Sequence, residues 1–219
     1  MKNDLRTRLV SEFLGTGLLV LAVTGSGAMA EQLTDDTAMQ LLANSLATAG
    51  ALVTLIWLFA PLSGAHFNPV VTVAQCILQS HRWKLLAPYI VVQILGGLSG
   101  AVVANLMFSL DALGPSTKVR EGGGIWLGEV VATFALLLVI HVIGKSNPSL
   151  VPPAVGIWIG GAYWFTSSTS LANPAVTTAR SFTDSFAGIA PQSVPAFITA
   201  QVAGLALAIP VIKLLNRRV

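Results

Sequence analysis

Charge is what this chain has least of. Of its 219 residues only 10% are charged, against 54% hydrophobic, and the mean hydropathy is +0.76. A soluble domain carries about a quarter charged residues, so an ordinary globular fold is excluded. The net charge is only +3, and the basic residues are scattered, which excludes a nucleic-acid-binding stripe. Cysteine is almost missing too. Cys76 stands alone, so no internal disulfide and no cysteine-based metal cluster can form. It reads as a small buried apolar residue, with a pore-adjacent thiol as the alternative. No cofactor is expected, and no metal.

What fills the chain instead is long apolar runs. They place six spans at about 9–29, 39–60, 84–107, 125–144, 150–167 and 192–214, each near the ~20 residues needed to cross a bilayer. The first follows Lys2, Arg6 and Arg8 and closes on Ala28-Met29-Ala30, which resembles a signal-peptidase site. Its apolar stretch exceeds the roughly 7–15 residues of a signal core and contains Glu12, so it reads as an uncleaved span. Two further segments, about 62–79 and 168–186, are too short to cross and read as re-entrant. With both termini inside, Lys2, Arg6, Arg8, Arg82, Lys84, Lys145, Lys213, Arg217 and Arg218 fall on the inner side. Lys118, Arg120 and Arg180 fall outside, with Glu31, Asp35 and Asp36. That asymmetry follows the positive-inside rule and predicts a multi-pass membrane protein with six spans and cytoplasmic termini.

The chain also repeats itself. Ser11-Glu12-Phe13-Leu14-Gly15-Thr16 opens span one, and Gly128-Glu129-Val130-Val131-Ala132-Thr133 opens span four. Asn68-Pro69-Val70-Val71-Thr72 answers Asn173-Pro174-Ala175-Val176-Thr177, and Gln93 answers Gln201. Three spans per half is an odd number, so the halves run in opposite senses, an inverted repeat. The expected domain is a single transmembrane unit over 1–219, with repeats at about 1–110 and 122–219.

Proline is favoured at the first helical position, and Asn is a good N-cap. Pro69 and Pro174 therefore read as starts of two half-helices that enter from opposite faces and meet near the midplane. Each N-terminus carries roughly half a positive charge. Paired, they repel cations and protons while offering donors to a neutral solute, and Asn68 and Asn173 can each aim an amide N–H there. One Asn-Pro alone is an ordinary turn; two at matched positions of an inverted repeat are a pore. Glu12 and Glu129 are ionisable groups inside spans, where function is the default reading. A supporting role fits better: each can hold the polar groups of its own re-entrant loop, which no water would satisfy. A proton relay is the alternative. Gly96, Gly97 and Gly100 form a face for close helix packing.

At these motifs the chain resembles the major intrinsic protein family, the aquaporins and aquaglyceroporins. The resemblance covers the whole chain and rests on His66-Phe67-Asn68-Pro69, Asn173-Pro174-Ala175, the two glutamates and the 3+3 arrangement. It implies an all-α hourglass fold of six spans and two half-helices, a pore in every protomer and a homotetramer. Asn68, Pro69, Val70, Asn173, Pro174 and Ala175 would form the pore midplane, with Glu12, Glu129 and His66 supporting the loops. The family usually has Arg directly after the second Asn-Pro-Ala, at the outer constriction; here that residue is Val176. Valine removes the donors and the charge and leaves a wider, more apolar wall. The rest of the filter carries over as Gly50 or its neighbour Thr48 from span two, Tyr163 (Gly161 without a gap) from span five, and Ser170 from the loop. Arg180 lies one turn beyond Val176 on the same helical face, as a vestibule charge or an interfacial, snorkelling Arg.

Val in the Arg position resembles the AqpS-type branch of bacterial aquaglyceroporins, which is associated with arsenic. The resemblance implies a passive channel for small neutral solutes: water, glycerol-like polyols, and trivalent arsenicals including methylated ones. A water-selective aquaporin is the nearest rival, and an ion-coupled secondary transporter also uses inverted repeats. An intramembrane serine protease built on Ser63-Gly64 with His66 or His141 is the weakest alternative, so no enzyme is expected.

Overall fold

The computed structural model describes residues 4–216, without the side chains of residues 80–82. Of the basic residues singled out above, Lys2, Arg217, Arg218 and the Arg82 side chain lie outside the described residues. Helices account for all regular structure among the described residues: α1 (Leu5–Leu33), α2 (Thr37–Phe59), α3 (Pro69–Leu78), α4 (Leu86–Met107), α5 (Gly123–Leu138), α6 (Gly144–Ser146), α7 (Val151–Phe165), α8 (Pro174–Arg180) and α9 (Val194–Leu215). A π-helical turn, Val139–Ile143, joins α5 to α6 in one rod.

Five rods are long and apolar enough to cross a membrane: Leu5–Leu33, Thr37–Phe59, Trp83–Met107, Gly123–Ser146 and Pro191–Leu215. The remaining expected span, α7, has 15 residues, about 22 Å of helix against a hydrocarbon core of ~30 Å. It ends early because Thr166 leaves the helix in an extended conformation (φ −103°, ψ 140°), starting the segment that turns back toward Asn173.

The surface is apolar where a soluble protein would be polar. Ile157 is 74% exposed, whereas Glu12, Gln93, Glu129 and Gln201 are each 0% exposed. Such a molecule buries its polar groups away from lipid. The α1 helix packs on α4 and α2, and their counterparts α5 and α9 pack together. At the first crossing a Cβ on Gly96 would lie 2.2 Å from the Phe13 carbonyl oxygen; at the second, one on Gly204 would lie 2.7 Å from that of Val130. Both crossings therefore need a residue with no side chain. The short helices α3 and α8 touch each other, and each packs on both α4 and α9. One end of the molecule carries the termini and the α3–α4 connection. The other carries the 34–36, 108–122 and 181–193 connections and is called the loop end below.

Candidate functional site: a path past two asparagines

The segments before α3 and α8 adopt the same unusual backbone. Ala65, Phe67, Ser170 and Ala172 have φ of 49°, 49°, 53° and 48°, each costing ~1–3 kcal/mol for a residue with a Cβ. Glu12 and Glu129 stabilise them. Glu12 accepts from the His66 and Phe67 backbone N–H at 2.9 and 2.8 Å, from Ser63 Oγ at 2.6 Å and from Gln93 Nε2 at 2.8 Å. Glu129 accepts from the Leu171 and Ala172 N–H, both at 2.8 Å, and from Gln201 Nε2 at 2.6 Å. The glutamines also donate to Thr72 Oγ1 (3.0 Å) and Thr177 Oγ1 (2.9 Å) on the half-helices. His66 adds a contact between its Nδ1 and Thr72 Oγ1 at 3.1 Å.

The two asparagines cap and cross-link. Asn68 Oδ1 accepts from Val70 N (3.0 Å), and Asn173 Oδ1 from Ala175 N (3.0 Å) and Val176 N (3.3 Å). Each Nδ2 then donates across the pseudo-dyad, Asn68 to Ala172 O and Asn173 to Phe67 O, both at 2.8 Å. One amide hydrogen per asparagine is engaged this way, since each amide carries two donors. Pro69, Val70, Pro174 and Ala175 sit behind, and only the asparagines of these motifs line the path.

That path is a cavity of about 90 Å³. One water needs roughly 10–15 Å³ on this measure, so the space suits a short file of solutes. Near the termini it is lined by Gln75, Ile140 and Val151, and at the loop end by Thr48, Tyr163, Ser170, Val176 and Arg180. Tyr163, Ser170, Val176 and Arg180 thus line one end of the same cavity. Gly50 does not. It is exposed on the outer face of α2 with nothing within 4 Å of its Cβ position, and Thr48 faces the cavity instead, its Oγ1 3.1 Å from Tyr163 OH. Two residues turn a helix by ~200°, which puts Thr48 and Gly50 on opposite faces. Gly161 is likewise exposed.

One polar residue of the path, and one arginine beside its mouth, were missed in the sequence. Gln75 lines the cavity, and its Oε1 is buried without a hydrogen-bond partner. It lies seven residues after Asn68, as Arg180 lies seven after Asn173, so the repeat itself pointed to it. Ser170 Oγ is also unpartnered. Arg120, far away in sequence, reaches Thr169 Oγ1 at 3.4 Å, and no sequence pattern foretold it. Ser63 and the histidines form no catalytic pair: Ser63 Oγ donates to Glu12, the His66 ring meets Thr72, and His141 Nδ1 meets Leu137 O.

The family model for the major intrinsic protein matches residues 2–171. The chain belongs to the major intrinsic protein family. Members of this family are passive channels, not enzymes, and this chain is an integral multi-pass membrane protein. Aquaglyceroporin AqpS of Rhizobium meliloti is 46% identical over 210 residues, covering 96% of this chain and 90% of its own. A probable TIP-type aquaporin of Medicago truncatula is 33% identical over 184 residues, covering 77% and 72%. The X-ray structure of the aquaglyceroporin from Plasmodium falciparum superposes with a TM-score of 0.74 over 96% of this chain and 95% of that one. At 21% identity that likeness speaks for the fold alone, the hourglass of aquaporins.

Proposed function

We propose that this major intrinsic protein is a broad passive channel for small neutral solutes: water, glycerol-like polyols and trivalent arsenicals, methylated ones included. One observation carries the breadth. At the position where the family usually has Arg, Val176 lines the cavity and offers it only an apolar wall. An Arg there would project a rigid fork of five donors and a charge; valine supplies neither. A solute with several hydroxyls still finds polar contacts along the path at Thr48, Tyr163, Ser170, the two asparagines and Gln75. Arsenous acid is neutral at physiological pH and displays its hydroxyls much as glycerol does, so it suits the same surface. The similarity to Aquaglyceroporin AqpS supports this solute class.

The protein acts as a homotetramer in the bacterial inner membrane with both termini cytoplasmic. Arg6, Arg8, Lys84, Lys145 and Lys213 gather at the end that carries the termini, and Glu31, Asp35 and Asp36 at the loop end, the distribution of the positive-inside rule. Reconstitution in vesicles tests the solute range. Under inward gradients of glycerol or arsenite, a broad channel produces solute entry and reswelling after the osmotic shrinkage. A water-selective channel produces shrinkage alone, which would reject the proposal.

A further inference from the structure

Two arginines stand at the loop end of the path, and neither has an ionic partner among the described residues. Arg180 is 2% exposed and lines the cavity. Its Nε donates to Ala187 O, and no other hydrogen bond joins its guanidinium to the described residues. Arg120 enters from the 108–122 connection: Nε donates to Gly188 O (2.9 Å), one terminal nitrogen to Phe186 O (3.3 Å) and the other to Thr169 Oγ1 (3.4 Å), beside the filter residue Ser170. The two guanidiniums therefore grip consecutive carbonyls, 186 to 188, of one loop. The same loop is held on its other side by Glu31, whose Oε2 accepts from Phe186 N at 2.6 Å.

The charges are not balanced locally. Among the described residues the one ion pair is Lys118–Glu31 at 2.8 Å, and Asp184, the carboxylate on this loop itself, is taken up by Thr117 N at 2.7 Å and Thr117 Oγ1 at 3.0 Å. Glu129, the buried carboxylate behind the second loop, is engaged with Leu171, Ala172 and Gln201. Burial, then the neighbouring charge of Arg180, lowers Arg120 to about 10, which leaves it protonated at neutral pH. Bringing two unpaired cations together under cover is costly. A strap for three carbonyls needs donors only and gives no reason for two full charges.

The cavity wall gives one. Val176 leaves the second half-helix without a charge at the filter, and Arg180 lies four residues further on, ~6 Å along the helix toward the loop end. We propose that Arg120 and Arg180 together form the cation barrier of this channel, displaced one helical turn outward from the place Val176 occupies. This rests on the assignment of Val176 to the filter. The division separates two tasks that one filter Arg would combine. The constriction stays apolar and wide for neutral solutes, while the mouth repels cations before they reach it.

The test uses the full chain in vesicles and reads the ratio of potassium to glycerol permeability in the same preparation, with thermal stability in detergent as the check on folding. Arg120→Gln and Arg180→Gln should each raise the ratio, and the double variant should raise it by ~10-fold or more, as expected for charges acting close to an ion in a low-dielectric mouth. Arg120→Lys and Arg180→Lys, which keep the charge but lose the planar fork, should leave the ratio near that of the unaltered chain. An unchanged ratio in the double Gln variant would overturn the proposal. So would an equal rise in the Lys and Gln variants, since that is the signature of a structural strap. Placing Val176→Arg in the double Gln background should bring the ratio back down. Failure of the filter assignment reads out separately, as glycerol flux that Val176→Arg does not change.

Discussion

Glu129 contributes to the channel without facing the solute. Its two oxygens accept from Leu171 N, Ala172 N and Gln201 Nε2. Glu129→Ala orphans the Leu171 and Ala172 N–H at ~1–3 kcal/mol each and takes one of two acceptors from Gln201 Nε2, so thermal unfolding in detergent should show a loss of roughly 3 kcal/mol or more. Glu129→Gln keeps an acceptor and most of the volume and should lose less. On α2 the expectations divide between two neighbours. Gly50→Ala should leave glycerol flux unchanged, since its Cβ meets nothing within 4 Å. Thr48→Phe fills the cavity beside Tyr163, and stopped-flow swelling should show a several-fold fall in glycerol flux. The choice between these two was not legible in the sequence, because it depends on how α2 is rotated about its axis, and packing sets that. Glu12, Glu129, Gln93 and Gln201 were legible: ionisable and amide groups recurring in the same order inside apolar spans need partners, and the repeat names them. Arg120 was not, because its place follows from how a long connection folds back over the mouth.

At the scale of elements, the paired half-helices are cross-linked caps. Each asparagine bonds its own helix through Oδ1 and the opposite loop through Nδ2. Asn173→Asp replaces the donor to Phe67 O with a carboxylate oxygen and sets a negative charge where the two positive helix ends meet. Cation conductance in planar bilayers should rise, and stability should fall by about 1 kcal/mol or more from the lost cross-link. The half-helix starts were legible because Asn-Pro is a local signal. The length of α7 was not: the apolar run continues to 167, but the helix stops at Phe165 because the following loop must reach the midplane. The glycines of α4 were read as packing residues, and Gly96 lies against the Phe13 carbonyl with no room for a methyl group. Gly96→Leu should therefore abolish the folded protein, seen as loss of the monodisperse peak in detergent.

Over the whole molecule, an apolar exterior and a polar interior seam follow from one constraint, the scarcity of water in the bilayer core. The halves answer that constraint twice, with glutamate and glutamine behind the loops and asparagine in front. This symmetry makes a path with a polar midplane, and it does not choose the solute. The choice is assigned to a single departure from the family pattern, Val176. Stopped-flow measurement of glycerol and water permeability in vesicles, comparing the unaltered chain with Val176→Arg, tests that assignment most directly. Glycerol permeability should fall ~10-fold or more, as expected when a site gains a bulky charged fork, while water permeability persists. Equal glycerol permeability in the two proteins would contradict it.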